Sequence, residues 1–181
     1  AAVFSIDWDS MQLNLPNPLV PGQFYIANVG GARSRGVELQ LNARPQAGLE
    51  VIGALGVVRA RFRNGSVSSG LDVSNNGLPN TPGYTATIGA QYSRPLGAAA
   101  TVYGRGDVAF YGAYHYDDAN SEGQGAYSLA NVRAGVRGRH LFAEAWVKNV
   151  LDTRYIPVAF AYGSLAPSGF SNPLTIAGNL T

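Results

Sequence analysis

The residues best equipped for chemistry are His115, Tyr116, Asp117 and Asp118, which stand in one run. A histidine beside carboxylates can act as a general base or take part in a metal site. No Ser, His and acid spacing recurs in the chain, so the polar end of a strand running into a solvated loop accounts for the group without catalysis. His140 falls in a turn, where interfacial polarity explains it. Arg59 and Arg61, with Arg63, could attract an anionic ligand or a lipopolysaccharide phosphate, or simply mark a boundary between membrane and water. Gly104, Gly106 and Gly112 superficially form a glycine-rich phosphate loop, but they lie inside a strand with no helix after it, and that reading fails. The absence of cysteine removes disulfide scaffolds and Cys-ligated zinc. A net charge of +2 spread along the chain makes no basic patch of the kind nucleic acid needs. No cofactor or metal is expected.

The remaining charges are placed with a period. In Leu141–Tyr155 the odd positions Leu141, Ala143, Ala145 and Val147 are apolar, while Phe142, Glu144, Trp146 and Lys148 hold both charges. Side chains of a strand alternate between faces, so this is a strand with one oily and one charged side. A helix would bring Glu144 and Lys148 together but scatter the small apolar residues around its circumference. Composition fits the strand reading. The chain of 181 residues has 23 Gly, 10 Tyr and 7 Phe, and only 13% charged residues, against roughly 25% in soluble domains. Mean hydropathy is nevertheless −0.02, because apolar residues are diluted one for one with polar and small ones. No apolar run approaches the ~18 residues of a spanning helix. Alternation between lipid and lumen in a transmembrane β-barrel produces this signature.

The elements that would carry these residues follow along the chain. Val3–Leu13 sets Phe4, Ile6 and Trp8 against Ser5, Asp7 and Asp9. In the next strand Val37, Leu39, Leu41 and Ala43 oppose Glu38, Gln40 and Asn42, with a bulge expected at Gly30-Gly31. Across 49–62, Ile52, Ala54, Val58 and Phe62 form one set, and Val51, Leu55 and Val57 share the other with Arg59 and Arg61; the arginine set is placed inward. Tyr84, Ala86, Ile88, Ala90 and Tyr92 alternate with Thr85, Thr87 and Gln91, with the tyrosines where two interfacial girdles would lie. Strands over 99–116, 126–139, 141–148 and 174–181 complete a set of about eight. In 99–116, Val102, Val108, Phe110, Tyr114 and Tyr116 oppose Arg105, Asp107, Tyr111 and His115. Connections alternate between short (45–48, 95–98, 138–140) and long (14–23, 63–82, 117–125, 152–173). The expected fold is therefore all-β: a single antiparallel up-and-down transmembrane barrel spanning 1–181, with short periplasmic turns and long extracellular loops. A soluble ligand-binding β-barrel would alternate too, but should show bulkier core faces and more Lys and Glu outside.

Several segments resemble the C-terminal part of the barrel of TonB-dependent outer-membrane receptors. The matching residues are Ile6, Asp7 and Trp8; Asn28, Gly30, Ala32, Gly36 and Glu38; Pro79, Asn80 and Pro82; and Asn149, Asp152 and Tyr155. Each piece is weak alone, but the ordered set is specific and covers nearly the whole chain. The resemblance implies an outer-membrane location and energised uptake of ferric siderophores, cobalamin or other scarce nutrients through a barrel of about 22 strands. It also implies an N-terminal plug, which this sequence does not show, just as it shows no TonB box.

Eight strands can close on themselves, and the interior is then just wide enough for side chains. Asp7, Glu38, Arg105, Asp107, Arg133, Arg137, Glu144 and Lys148 would all point into it, and buried charges survive only when paired. Glu144 and Lys148 would then meet partners such as Arg133 and Asp107. The expectation is a monomeric, structural, self-plugged barrel without transport, in contact with outer-membrane lipid and lipopolysaccharide; a ferric siderophore or other nutrient would belong to a full-length parent. The enzymatic alternative is a rim-active hydrolase using His115 with Asp117 or Asp118. Asn149, Asp152 and Tyr155 read as a turn lock rather than chemistry. Phe160, Tyr162 and Phe170 in the last long loop offer a surface for a ligand, a partner or lipid headgroups.

Overall fold

Strong alternation and frequent β-branched and aromatic residues favour extended chain, and the computed structural model is built almost wholly of it. It describes residues 1–17, 20, 23–161 and 175–177. Seven strands form one antiparallel sheet in sequence order: β1 (Ala2–Pro16), β2 (Phe24–Gln46), β3 (Leu49–Phe62), β4 (Tyr84–Leu96), β5 (Ala100–Tyr111), β6 (Tyr127–Gly138) and β7 (Phe142–Val147). This is the up-and-down order expected. Among the described residues β1 and β7 are edges that do not pair with each other, so the sheet is open. Of the expected last strand, Thr175–Ala177 pairs with Ala159–Ala161 in a separate two-stranded ladder. Tyr162, Phe170 and the rest of that strand lie outside the described residues, as does the side chain of Phe160.

Turns at one end are tight because glycine takes the left-handed conformation there: Gly48 (φ 79°) between β2 and β3, and Gly97 (φ 63°) between β4 and β5. The other end carries 63–83 and 112–126, which have short hairpins of their own at Val67–Ser68 with Leu71–Asp72 and Tyr114–His115 with Gly123–Gln124. The expected strand over 99–116 therefore stops at Tyr111, and Tyr114 and Tyr116 belong to the loop rather than to its apolar face.

Register sorts the side chains. Directly opposite residues share a face, so Val37, Val57 and Tyr84 form one row, with Leu39, Leu55, Ala86 and Phe110 in the next. Further rows bring in Leu41, Ile88 and Val108, then Val132 and Val147, then Ala134 and Ala145. This side is almost wholly apolar and uncovered, with Leu41 58% and Ile88 57% exposed. Tyr84 to Tyr92 spans about 27 Å along the strand, or about 20 Å of depth at a ~40° tilt, close to the ~25 Å apolar band of such barrels.

The buried apolar cluster sits elsewhere. Leu15, Val29, Ala32, Phe62, Val73 and Leu78 pack together at the long-loop end, where 63–83 folds over the polar side of β2 and β3. β2 makes this geometry available: at 23 residues and about 3.3 Å each it reaches ~76 Å, far beyond the apolar band. The expected bulge is present, with a register shift between Trp8 and Met11 opposite Gly30, whose φ is 123°. A Cβ on Gly30 would strike Ser66, so glycine here is also what lets the loop dock.

Candidate functional site

The polar face of β4–β7 holds two connected groups. Asp107 accepts from Arg105 Nε at 3.4 Å and from Asn131 Nδ2 at 2.9 Å. Asn131 Oδ1 in turn accepts the backbone N–H of Asn149 at 3.1 Å. Two rows below Asp107, the Tyr103 hydroxyl donates to Glu144, whose carboxylate also lies 3.9 Å from Arg133 Nη1. The carboxylates are mostly covered, with side chains 25% (Asp107) and 20% (Glu144) exposed. Arg137 stacks over Phe142 at 5.5 Å, and Lys148 over Trp146 at 5.4 Å, each using a neighbouring ring as a cation–π partner.

These contacts refine the expected charge network. Arg105, Asp107, Arg133, Arg137 and Glu144 share the polar face, and Glu144 finds Arg133 as anticipated. Lys148 does not reach Asp107; Asn131 takes that place. Glu38 is on the same face but stands on β2, opposite Gly56 and away from the others. Asp7 is a correction. It pairs with Arg33, in line with Arg61, and therefore lies on the side of Val37 and Leu39, while Phe4, Ile6 and Trp8 point to the polar side. Phe4 has an evident use there, because its ring covers Gly36, where any Cβ would collide with it.

Arg59 and Arg61 are corrected in the same way. Their partners across the ladder are Arg35 and Arg33, continuous with the row of Val37, Val57 and Tyr84, so the arginine set of β3 faces outward and Phe62 faces inward. The set mixes aliphatic and charged residues because the strand passes from one environment into another, not because it lines an interior.

At the long-loop end the polar face finishes in aromatic rings. Tyr127 stacks on Tyr111 (4.8 Å, 17°) and on Tyr155 (4.7 Å, 10°). Tyr155 is carried there by the expected turn lock. Asn149 (φ 49°) donates Nδ2 to Thr153 O and accepts Thr153 N–H at Oδ1, both at 3.0 Å, and Asp152 (φ 49°) donates its N–H to Asn149 O at 2.9 Å. Beside the stack, Tyr116 donates to Ile156 O at 2.6 Å, and Gln124 Oε1 accepts Ile156 N–H at 2.8 Å. Tyr103, Asn131 and Tyr127 were the functional candidates that motif spacing missed; their position on the inward alternation of β5 and β6 was the available signal.

The His115 group is structural in its contacts. Asp117 accepts from Ser121 Oγ (2.6 Å) and from the N–H groups of Ser121 and Glu122 (3.1 Å each). Burial pushes its pKa up, but these bonds outweigh it and hold the carboxyl below its ordinary value. His115 contributes its carbonyl, which accepts Asn80 N–H at 2.7 Å. Asn76 reaches Asp118 O (2.9 Å), and Gly77 and Asn120 exchange two bonds, so the P-N-x-P loop and 112–126 are zipped together. No ring bond joins His115 to Asp117 or Asp118, and no metal-binding group of three occurs among the described residues.

Residues 1–150 match the family model described as TonB dependent receptor-like, beta-barrel. Among solved structures, the chain is similar to the ferric yersiniabactin uptake receptor FyuA of Yersinia pestis, with 23% identity and a TM-score of 0.74 over 87% of this chain and 23% of that one. BauA, the ferric preacinetobactin receptor of Acinetobacter baumannii, gives 18% and 0.67 over 85% and 23%. The siderophore receptor PiuA of the same species gives 20% and 0.63 over 86% and 22%. The chain thus spans less than a quarter of the length of each. An apolar outward band, a polar inward face and long loops at one end complete the agreement, and the chain belongs to the β-barrel of the TonB-dependent receptors, proteins of the Gram-negative outer membrane.

Proposed function

We propose that this chain is a wall segment in the barrel of a receptor for a ferric siderophore or similar scarce nutrient, with its polar face toward plug and water. The observation that carries the reading is the Tyr111–Tyr127–Tyr155 stack, which caps the inward face at the extracellular end. Three parallel rings, two on paired strands and the third held by an asparagine lock, offer a pre-ordered aromatic platform where a ligand first meets the wall. Such a platform suits the aromatic and chelating groups of iron carriers. Matches that cover less than a quarter of each solved receptor support a wall within a wider barrel; the alternative is the narrow self-filled barrel that eight strands would make. The non-enzymatic reading is supported by Asp117, whose oxygens serve the loop rather than the His115 ring; the segment acts within a monomeric receptor.

Binding of a panel of ferric siderophores to the receptor in native outer membranes tests this. Tyr127→Ala should weaken the recognised ligand by up to about ten-fold, the worth of an aromatic pair, with receptor abundance unchanged. Unaltered binding of every ligand would take the rim out of the ligand path. Planar-bilayer conductance separates the two barrel sizes, since a steady large pore from this chain alone contradicts self-plugging.

A further inference from the structure

The arginines that register turns outward form two successive facing pairs, Arg33 with Arg61 and Arg35 with Arg59. All four are exposed. Like charges directly opposite on adjacent strands repel, and two such pairs in series need a counter-charge. The protein supplies part of one. Asp7 meets Arg33 Nε at 2.5 Å, and Arg61 Nη1 donates to Asn75 O at 2.6 Å. The lower pair receives no carboxylate: Arg35 donates to Ser5 Oγ at 3.3 Å, and the Arg59 side chain makes no hydrogen bond or ion pair among the described residues. Arg63, paired with Asp9, lies over Gly31 above them.

Depth identifies the occupant. Arg35 and Arg59 stand one row beyond Val37, Val57 and Tyr84, about 7 Å along the strand from the girdle. Below them runs the uncovered apolar band of Leu39, Leu55 and Ile88. A ligand that fits must place anionic groups at the first layer above the hydrocarbon and acyl chains directly beneath. We infer that this face binds a phosphorylated outer-leaflet glycolipid of the lipopolysaccharide class, its phosphates bridging Arg35 and Arg59 and its chains lying on β2–β4. Guanidinium groups suit this role because they bind phosphate through paired N–H donors. The inference rests on the wall standing in the outer membrane and not on the ligand proposed at the rim, so failure of the Tyr127 test leaves it intact.

Native mass spectrometry of the detergent-extracted receptor, titrated with bisphosphorylated or phosphate-free lipid A, provides the test. The phosphorylated lipid should be retained, and Arg35→Gln combined with Arg59→Gln should weaken it roughly twenty-five-fold, about five-fold for each arginine at an anionic surface. Phosphate-free lipid A should already bind at that weaker level, an arm that needs no variant. Arg139→Gln, in the opposite turn, should change nothing. Equal binding of the two lipids, or an unaffected double variant, overturns the proposal. So does complete displacement by millimolar inorganic phosphate, which would mark a free-anion site, or a receptor dimer that the double variant dissolves, which would mark a second copy as the occupant.

Discussion

Asp107 and Arg59 lie on opposite faces of one sheet, and their surroundings differ in kind. On the inward side each carboxylate has its donors within the protein: Arg105 and Asn131 for Asp107, Tyr103 and Arg133 for Glu144. On the outward side, above the tyrosine girdle, arginine faces arginine in two pairs, and a single carboxylate, Asp7, reaches Arg33 alone among the four. The inward cluster is half-covered and internally satisfied, as charges in a low-dielectric setting require. The outward cluster is exposed and incomplete by itself. The clusters differ in make-up as well as setting: the inward carboxylates meet their donors within the protein, while the outward arginines leave charge for a partner outside it.

The contrast can be attacked from either face. The largest effect is expected from Ile88→Lys, which places a charge in the outward band and should cost about 2–4 kcal/mol of folding free energy in vesicles. Thr87→Lys, one residue away but inward, should cost well under ~1 kcal/mol in the same urea titration. Equal costs would erase the distinction between faces. A smaller effect is expected from Asp107→Ala, which strands Arg105 and Asn131 and should cost about 1–3 kcal/mol with little dependence on salt. Its outward counterpart Asp7→Asn should cost at most about 1 kcal/mol and lose even that in high salt. The smallest effect belongs to the loops. The carboxyl of Asp117 is held below its ordinary value in the folded chain, so its stabilisation is present above about pH 4 and is lost as pH falls through the folded value. Asp117→Asn should therefore lower loop protection at pH 7, read by proteolysis of 112–126, and flatten its acid limb, the two proteins converging as pH falls below the folded value.

Much of this was legible in the sequence, and the failures have a common cause. The faces of Tyr84–Tyr92 and of Leu141–Val147 could be read directly, because each stays in one environment along its length and period two survives intact. Arg59 and Asp7 were misread because β1, β2 and β3 leave the membrane partway. Past that level, polarity reports height rather than facing, and oily Phe4, Ile6 and Trp8 can point inward to cover Gly36 and its neighbours. Only register, a long-range property, fixes them. Arg59, Arg61 and Arg63 were visible as a basic run at the end of β3, but Arg33 and Arg35 join them only through strand pairing. The Asn149 lock was readable from local side-chain chemistry. Its consequence, Tyr155 laid on Tyr127, joins residues 28 apart and was not.

The central claim is that the two faces of this sheet meet lipid and water respectively. The chain has no cysteine, so single cysteines can be introduced in turn from Thr85 to Gln91 and spin-labelled in the reconstituted protein. Collision with oxygen, which concentrates in lipid, and with a water-soluble nickel chelate then reports each site. Labels at Ala86, Ile88 and Ala90 should favour oxygen, and those at Thr85, Thr87 and Gln91 the chelate, in strict alternation. Uniform access to the chelate along the strand, or to oxygen at every position, would contradict the account.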